Sequence, residues 1–114
     1  MIKFRSDCPL SRSLDIIGDK WTLLILRDIV AFKKTTFKKI ALMPENIATN
    51  ILSDRLNRLV TEGFITKRKS KTNKLVYHYL PKPKAVDLLP SIMLMVKWSE
   101  KYLYKRTEKP TPIE

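Results

Sequence analysis

Apolar positions recur at spacings of three and four over most of the chain, the mark of helices that bury one face. Only between residues 64 and 80 does the pattern turn β-like. Leu14 and Ile17, three apart, predict a short helix over 11–17, closed by Gly18 because glycine tolerates the left-handed conformation of a helix end. Asp19 then reads as the N-cap of a second helix over 20–32. There Trp21, Leu24, Ile25, Asp28 and Ile29 share a face, and Leu23, Leu26 and Val30 widen the apolar surface enough to place the helix in a core. Thr35 or Thr36 caps a third, short helix over 36–42 with Phe37, Ile40 and Ala41 inward, and Pro44 makes 43–46 a turn. A fourth helix over 48–62 carries the stripe Leu52, Leu56, Leu59 and Val60, and Gly63 ends it. Off that stripe lie Thr49, Asn50, Ser53, Asn57 and much of Arg55.

Two β-rich runs follow, 64–68 and 75–80, the second rich in Val and Tyr as strands prefer, and the basic loop 69–74 joins them into a hairpin. A last long helix covers 83–104, with Pro83 in its first turn and Pro90 placed to kink or restart it. Leu89, Ile92, Met93, Val96 and Trp98 make that helix apolar over more than one stripe. The run 106–114, with Pro110 and Pro112, reads as a flexible tail, so that 1–105 form the domain.

Charge changes the picture most. Lys and Arg number 23 against 11 Asp and Glu, a formal net charge of +12. The cations cluster: Lys33, Lys34, Lys38 and Lys39 stand with no acid between 29 and 44. Lys67, Arg68, Lys69, Lys71, Lys74, Lys82 and Lys84 stand with none between 63 and 86. Such clusters point to a polyanionic partner, of which nucleic acid is the commonest.

Other classes are disfavoured. At 114 residues and 44% hydrophobic composition the chain suits one core. A single cysteine, Cys8, and a single histidine, His78, exclude an intramolecular disulfide and any Cys-based or multi-histidine metal site. No apolar run approaches the ~20 residues of a membrane span, and the first ten residues lack a signal-peptide apolar core. A soluble, cytoplasmic protein with no membrane partner is expected. No phosphate-binding glycine motif occurs. Asp15, Asp19 and Asp28 read as caps and helix-surface charges without a base or nucleophile beside them, so neither an enzyme nor a cofactor is expected.

The order of elements is that of a mainly α protein with a small β-hairpin: a winged helix-turn-helix, two helices joined by a tight turn and followed by a cationic wing. A helix of about 10–12 Å fits the major groove of duplex DNA. Asn50 suits an adenine edge, Arg55 a guanine or a phosphate, and Thr49 and Ser53 either bases or phosphates. Thr36, Lys38 and Lys39 on the preceding helix would position the protein on the backbone, and Lys67, Arg68, Lys69, Lys71 and Lys74 on the wing would lie against phosphates or enter the minor groove. Two other readings stay open: sequence-neutral architectural DNA binding, and a winged-helix module whose basic face meets an acidic protein.

Cys8-Pro9 and the run Leu14-Asp15-Ile16-Ile17-Gly18-Asp19-Lys20-Trp21-Thr22-Leu23-Leu24-Ile25-Leu26-Arg27-Asp28 resemble the N-terminal signature of the HxlR-type winged helix-turn-helix regulators. The likeness continues at Phe37, at Leu52-Ser53-Asp54-Arg55-Leu56 with Leu59, and at Glu62-Gly63-Phe64-Ile65. It resumes at Tyr79, Pro83, Leu88-Leu89-Pro90 and Trp98. The resemblance implies a prokaryotic transcriptional regulator that binds a pseudo-palindromic duplex operator as a homodimer. The N-terminal segment and the last helix, with Leu89, Ile92, Met93, Val96 and Trp98, would form the dimer. It further implies that Cys8 is a candidate sensor of oxidants or electrophiles, while a pocket lined by Trp21 and Trp98 is a second reading of those residues, for a small-molecule effector. An inert, partly buried thiol is the alternative, with Lys3 and Arg5 as the cations that would favour the thiolate. The chain departs from the pattern at Ala48, where the family has Ser or Thr, at Asn50, where it has Arg, and at Pro81-Lys82-Pro83. The cap of the fourth helix must therefore come from Asn46 or Thr49, or be missing. Trp21, Met93 and Met95 read as packing residues, and His78 as a surface or satisfied histidine.

Overall fold

The computed structural model describes residues 2–105, 107–110 and 112; the expected tail 106–114 lies partly outside them. The elements run α1 (Pro9–Ile17), α2 (Thr22–Leu26), a π-helical turn (Arg27–Ala31) continuous with α2, α3 (Phe37–Ala41) and α4 (Thr49–Thr61). Then come β1 (Ile65–Lys69), β2 (Tyr77–Pro81), α5 (Pro83–Val86) and α6 (Leu89–Tyr102). No described helix is long and apolar enough to cross a membrane.

The core gathers the apolar stripes of nearly every element. Ile25, Leu26, Ile29 and Val30 come from α2 and the π turn, Ile40 and Met43 from α3 and its exit, and Ile47, Leu52, Leu56 and Leu59 from α4 and its approach. Phe64, Ile65 and Tyr79 come from the hairpin, and Ala85 and Ile92 from the last two helices. Each large apolar side chain fully withdrawn from water contributes about 1.5–3 kcal/mol. The α4 stripe is therefore the chief local reason that helix sits where it does.

Helix ends follow local chemistry. Pro9 presets the first turn of α1, which begins two residues earlier than the apolar spacing suggested. Gly18 is not left-handed, at φ −80°. It is needed because a Cβ there would stand 2.3 Å from the Leu14 carbonyl oxygen. Asp19 takes the capping role: its carboxylate accepts from the N–H groups of Trp21 and Thr22 at 2.9 and 3.0 Å. At the end of α4, Gly63 is left-handed at φ +79°. Its N–H donates to Val60 O, and Phe64 N–H donates to Leu59 O. This is a Schellman closure with the Phe64–Leu59 apolar pair beneath it. Asn46, which tolerates the left-handed region, turns the chain between α3 and α4 at φ +59°.

β1 and β2 pair antiparallel, with Lys67 opposite Tyr79 and Lys69 opposite Tyr77. The segment ahead of α3 is tied to β2: Tyr79 N–H donates to the Thr35 carbonyl at 2.7 Å. The Thr35 hydroxyl lies 2.8 Å from His78 Nδ1, so His78 is a satisfied, half-buried histidine. The last helix is two helices. The chain breaks at Asp87 and Leu88, and Pro90 sits in the first turn of α6, where its missing N–H costs no ladder bond.

Asp28 corrects the reading of it as a helix-surface charge. It is 0% exposed, held by Arg27 Nε at 2.9 Å and Lys34 Nζ at 3.1 Å. Arg27 in turn grips Glu45 with both Nη atoms, at 2.8 and 2.9 Å. A carboxylate so far from water needs those cations. The π turn supplies the first by burying Arg27 beside Asp28, and the segment after it supplies Lys34.

Candidate nucleic-acid interface

On α4, burial of Leu52, Leu56 and Leu59 leaves Thr49, Asn50, Ser53, Asp54 and Asn57 exposed on the opposite side. Ala48 occupies the N-cap position in an extended conformation and gives no side-chain cap. The family's Ser or Thr cap is thus missing rather than replaced by Asn46 or Thr49. The first-turn N–H groups of α4 are consequently free to meet an acceptor from outside.

Arg55, expected to meet a guanine or a phosphate, is half-buried and bonded within the chain. It follows Leu52 by three positions, which puts it at the edge of the buried stripe. Its Nε donates to Asp19 at 3.2 Å and its Nη1 to Asp54 at 2.6 Å. Burial alone would raise the Asp19 pKa. Hydrogen bonds from the Thr22 hydroxyl, the Trp21 and Thr22 N–H groups and Arg55 outweigh it and bring the value down to about 2. Arg58, one turn on, donates to the carbonyls of Asp15 and Ile16 at the end of α1, both at 3.1 Å. Two of the cations that composition offers to DNA thus hold α4 in place, Arg58 against α1 and Arg55 against Asp19 ahead of α2.

The other proposed contacts divide similarly. Thr36 is the N-cap of α3, its hydroxyl accepting from Lys39 N–H at 3.3 Å, while Lys38 and Lys39 are exposed. Lys34 is consumed by Asp28. On the wing, Lys67 lies over the Tyr77 and Tyr79 rings at 4.6 and 5.9 Å. Arg68, Lys69, Lys71 and Lys74 are exposed. The loop between the strands is ordered by its own bonds. Ser70 N–H donates to Val76 O, the Ser70 hydroxyl accepts from Thr72 and Asn73 N–H, and Asn73 Oδ1 accepts from Leu75 N–H.

The residues expected to form a dimer face on α6 differ in burial. Ile92 belongs to the core, and Leu89, Met93 and Val96 are half-buried. Leu94, Met95, Trp98 and Tyr102 are the exposed apolar side chains there, Trp98 at 59%. The spacing 94, 98, 102 carried that signal. On α1, Leu10 and Leu14 are likewise exposed. A groove of 680 Å³ runs between α2, the π turn and α6. It is lined by Leu23, Phe32, Ile92, Trp98 and Leu103, with the Arg27–Glu45 pair in its wall and Trp21 outside it. Cys8 is exposed at the start of α1. Arg5, one of the two cations expected to serve it, instead pairs with Asp15 through its side chain and its backbone N–H. That backbone bond is the main cause holding the Asp15 carboxyl below its ordinary range.

Comparison with known proteins places this arrangement. The HxlR-like helix-turn-helix family pattern matches residues 16–107. Rv3095 of Mycobacterium tuberculosis, an HTH-type transcriptional regulator, is 31% identical over 101 residues, covering 89% of this chain and 62% of that protein. The chain thus spans under two thirds of that relative's length. The crystal structure of PA1607, a candidate transcription factor, superposes with TM-score 0.83 at 31% identity, over 94% of this chain and 73% of that one. A MarR-family regulator from Listeria monocytogenes, solved with a 26mer DNA, shares the fold at TM-score 0.73 and 21% identity, over 86% of this chain and 63% of that one. With its winged architecture and a family match over most of its length, the chain belongs to the HxlR-like helix-turn-helix transcriptional regulators.

Proposed function

We propose that this protein binds a specific, pseudo-palindromic duplex operator as a homodimer and so regulates transcription. The observation that carries the reading is the face of α4. Thr49, Asn50 and Ser53 stand exposed opposite the buried leucines, with free cations on both sides of the helix in sequence: Lys38 and Lys39 before it, Arg68, Lys69, Lys71 and Lys74 after it. Asn50, with one donor and one acceptor in plane, is the natural reader of an adenine edge, and the lysines supply sequence-independent attraction. The second copy covers the exposed apolar residues of α1 and α6. Cys8 is the group on which an oxidant or electrophile would act, and a small effector is a further input to the same dimer.

Selection from a randomised duplex pool, followed by binding titrations, tests this. A regulator enriches one motif and prefers it over scrambled duplex by about 10³ or more. Asn50→Ala should flatten that preference. Lys71→Ala should weaken all duplexes alike and reduce the salt slope by about one unit. A ratio near one would favour architectural binding, and no retention of duplex at low salt would favour a protein-interaction module.

A further inference from the structure

We infer that the wing ends in an apolar wedge: Leu75 enters the minor groove, opens a base step and bends the duplex, while Lys71 and Lys74 hold the flanking phosphates. This rests on the DNA-binding reading and adds to it a deformation of the partner.

Leu75 is 90% exposed, more than any other large apolar side chain among the described residues. A lone exposed leucine is ordinary on a protein surface, but three features set this one apart. First, it is held out. Its own N–H is bonded to Asn73 Oδ1 at 3.0 Å, and the Ser70 hydroxyl and the Val76–Asn73 backbone bond fix the rest of the tip. The loop therefore holds a set shape that keeps the side chain off the protein's own surface. Second, it stands in the turn that leads into an apolar strand face: Tyr77, 41% exposed, and Tyr79, 6% exposed, share one side of β2, with Lys67 laid along the two rings. Third, every charged residue near it in sequence is a cation: Lys69, Lys71 and Lys74 precede it, and no acid occurs between 63 and 86.

An apolar point among cations fits a phosphate-walled slot with an apolar interior. The minor groove is such a slot, about 6 Å wide, and leucine is among the side chains that unstack base steps from that side. One leucine buries too little surface to hold a protein on a lipid bilayer, which needs a longer acyl chain or two anchoring signals. A wedge also predicts where it would act: at pyrimidine–purine steps, which unstack most easily.

The test uses a duplex selected by the wild-type protein, labelled at both ends for energy transfer and carrying 2-aminopurine at the step beneath the wing. The wild-type protein and Leu75→Met should shorten the end-to-end distance, by a bend of about 20–90°, and raise 2-aminopurine emission. Leu75→Ala should leave the duplex straight and stacked and lose roughly 3- to 10-fold in affinity, with the salt slope unchanged because no phosphate contact is removed. A duplex bound by the wild type without bending, or bent equally by Leu75→Ala, overturns the wedge while DNA binding stands. If the wild type retains no duplex at low salt, the DNA-binding reading falls and takes the wedge with it.

Discussion

Asp54 sits among the exposed polar residues of α4, where a negative charge would repel phosphates, and its carboxylate is covered by the Arg55 guanidinium at 2.6 Å. The expected role of Arg55 is therefore to aid DNA binding without reading a base. It cancels Asp54 and ties α4 to Asp19. Arg55→Ala should weaken binding to cognate and scrambled duplex by the same factor, roughly 3- to 10-fold at low salt. Loss of preference would instead mark it as a reader. The same variant has an acid signature. A carboxyl with a folded pKa near 2 and an unfolded value of about 3.9 stabilises the fold fully above that upper value, and the contribution disappears as pH falls through the interval. Without Arg55 the folded pKa of Asp19 rises, so acid unfolding should begin at higher pH, as circular dichroism would record. The contrast with Asn50 shows what the sequence could convey. Both residues lie off the leucine stripe, but Asp19, the acid that turns Arg55 inward, lies 36 positions away along the chain.

At the scale of elements, strong periodicity was readable and rotation was not. The stripe of Leu52, Leu56 and Leu59 located α4 to within a residue at each end. On α6, apolar residues populate nearly every side, so pattern alone offered Ile92 as a contact surface when it is core, and passed over Leu94 and Tyr102. The link between Thr35 and Tyr79 joins residues far apart in the chain through main-chain groups, which leave no residue-type signature. Nor was the π turn legible, since Arg27 and Asp28 read equally well as an ordinary helix turn. That turn has an energetic consequence. Removing Arg27 strips Asp28 of its closer cation and frees Glu45, the anchor of the turn before α4. Arg27→Met should cost about 3–5 kcal/mol, as expected for a buried charge left short of a partner, read as a fall in the urea midpoint. Adding Asp28→Leu should restore part of it. A loss under 1 kcal/mol in the single variant would show that Lys34 alone suffices.

At the scale of the molecule, exposed apolar side chains gather on α1 and α6, whereas others such as Leu42 and Leu75 lie elsewhere in the chain. Two exposed patches of this kind favour association of two copies, because each covers what the other would show to water. Leu94→Lys together with Trp98→Glu should yield a folded monomer by light scattering, since both side chains are exposed here. The monomer should bind an isolated half-site while losing roughly 100-fold on the full operator, through lost effective concentration. A variant that stays dimeric would place the contact elsewhere. The bond from Tyr79 to Thr35 has a last consequence for the assembly. It fastens the hairpin to the segment that begins the helix-turn-helix, so the two cannot adjust separately to a duplex of different shape. An RNA–DNA hybrid, whose A-form geometry deepens one groove and flattens the other, presents those surfaces at the wrong offset. The protein should reject it even when it carries the right sequence.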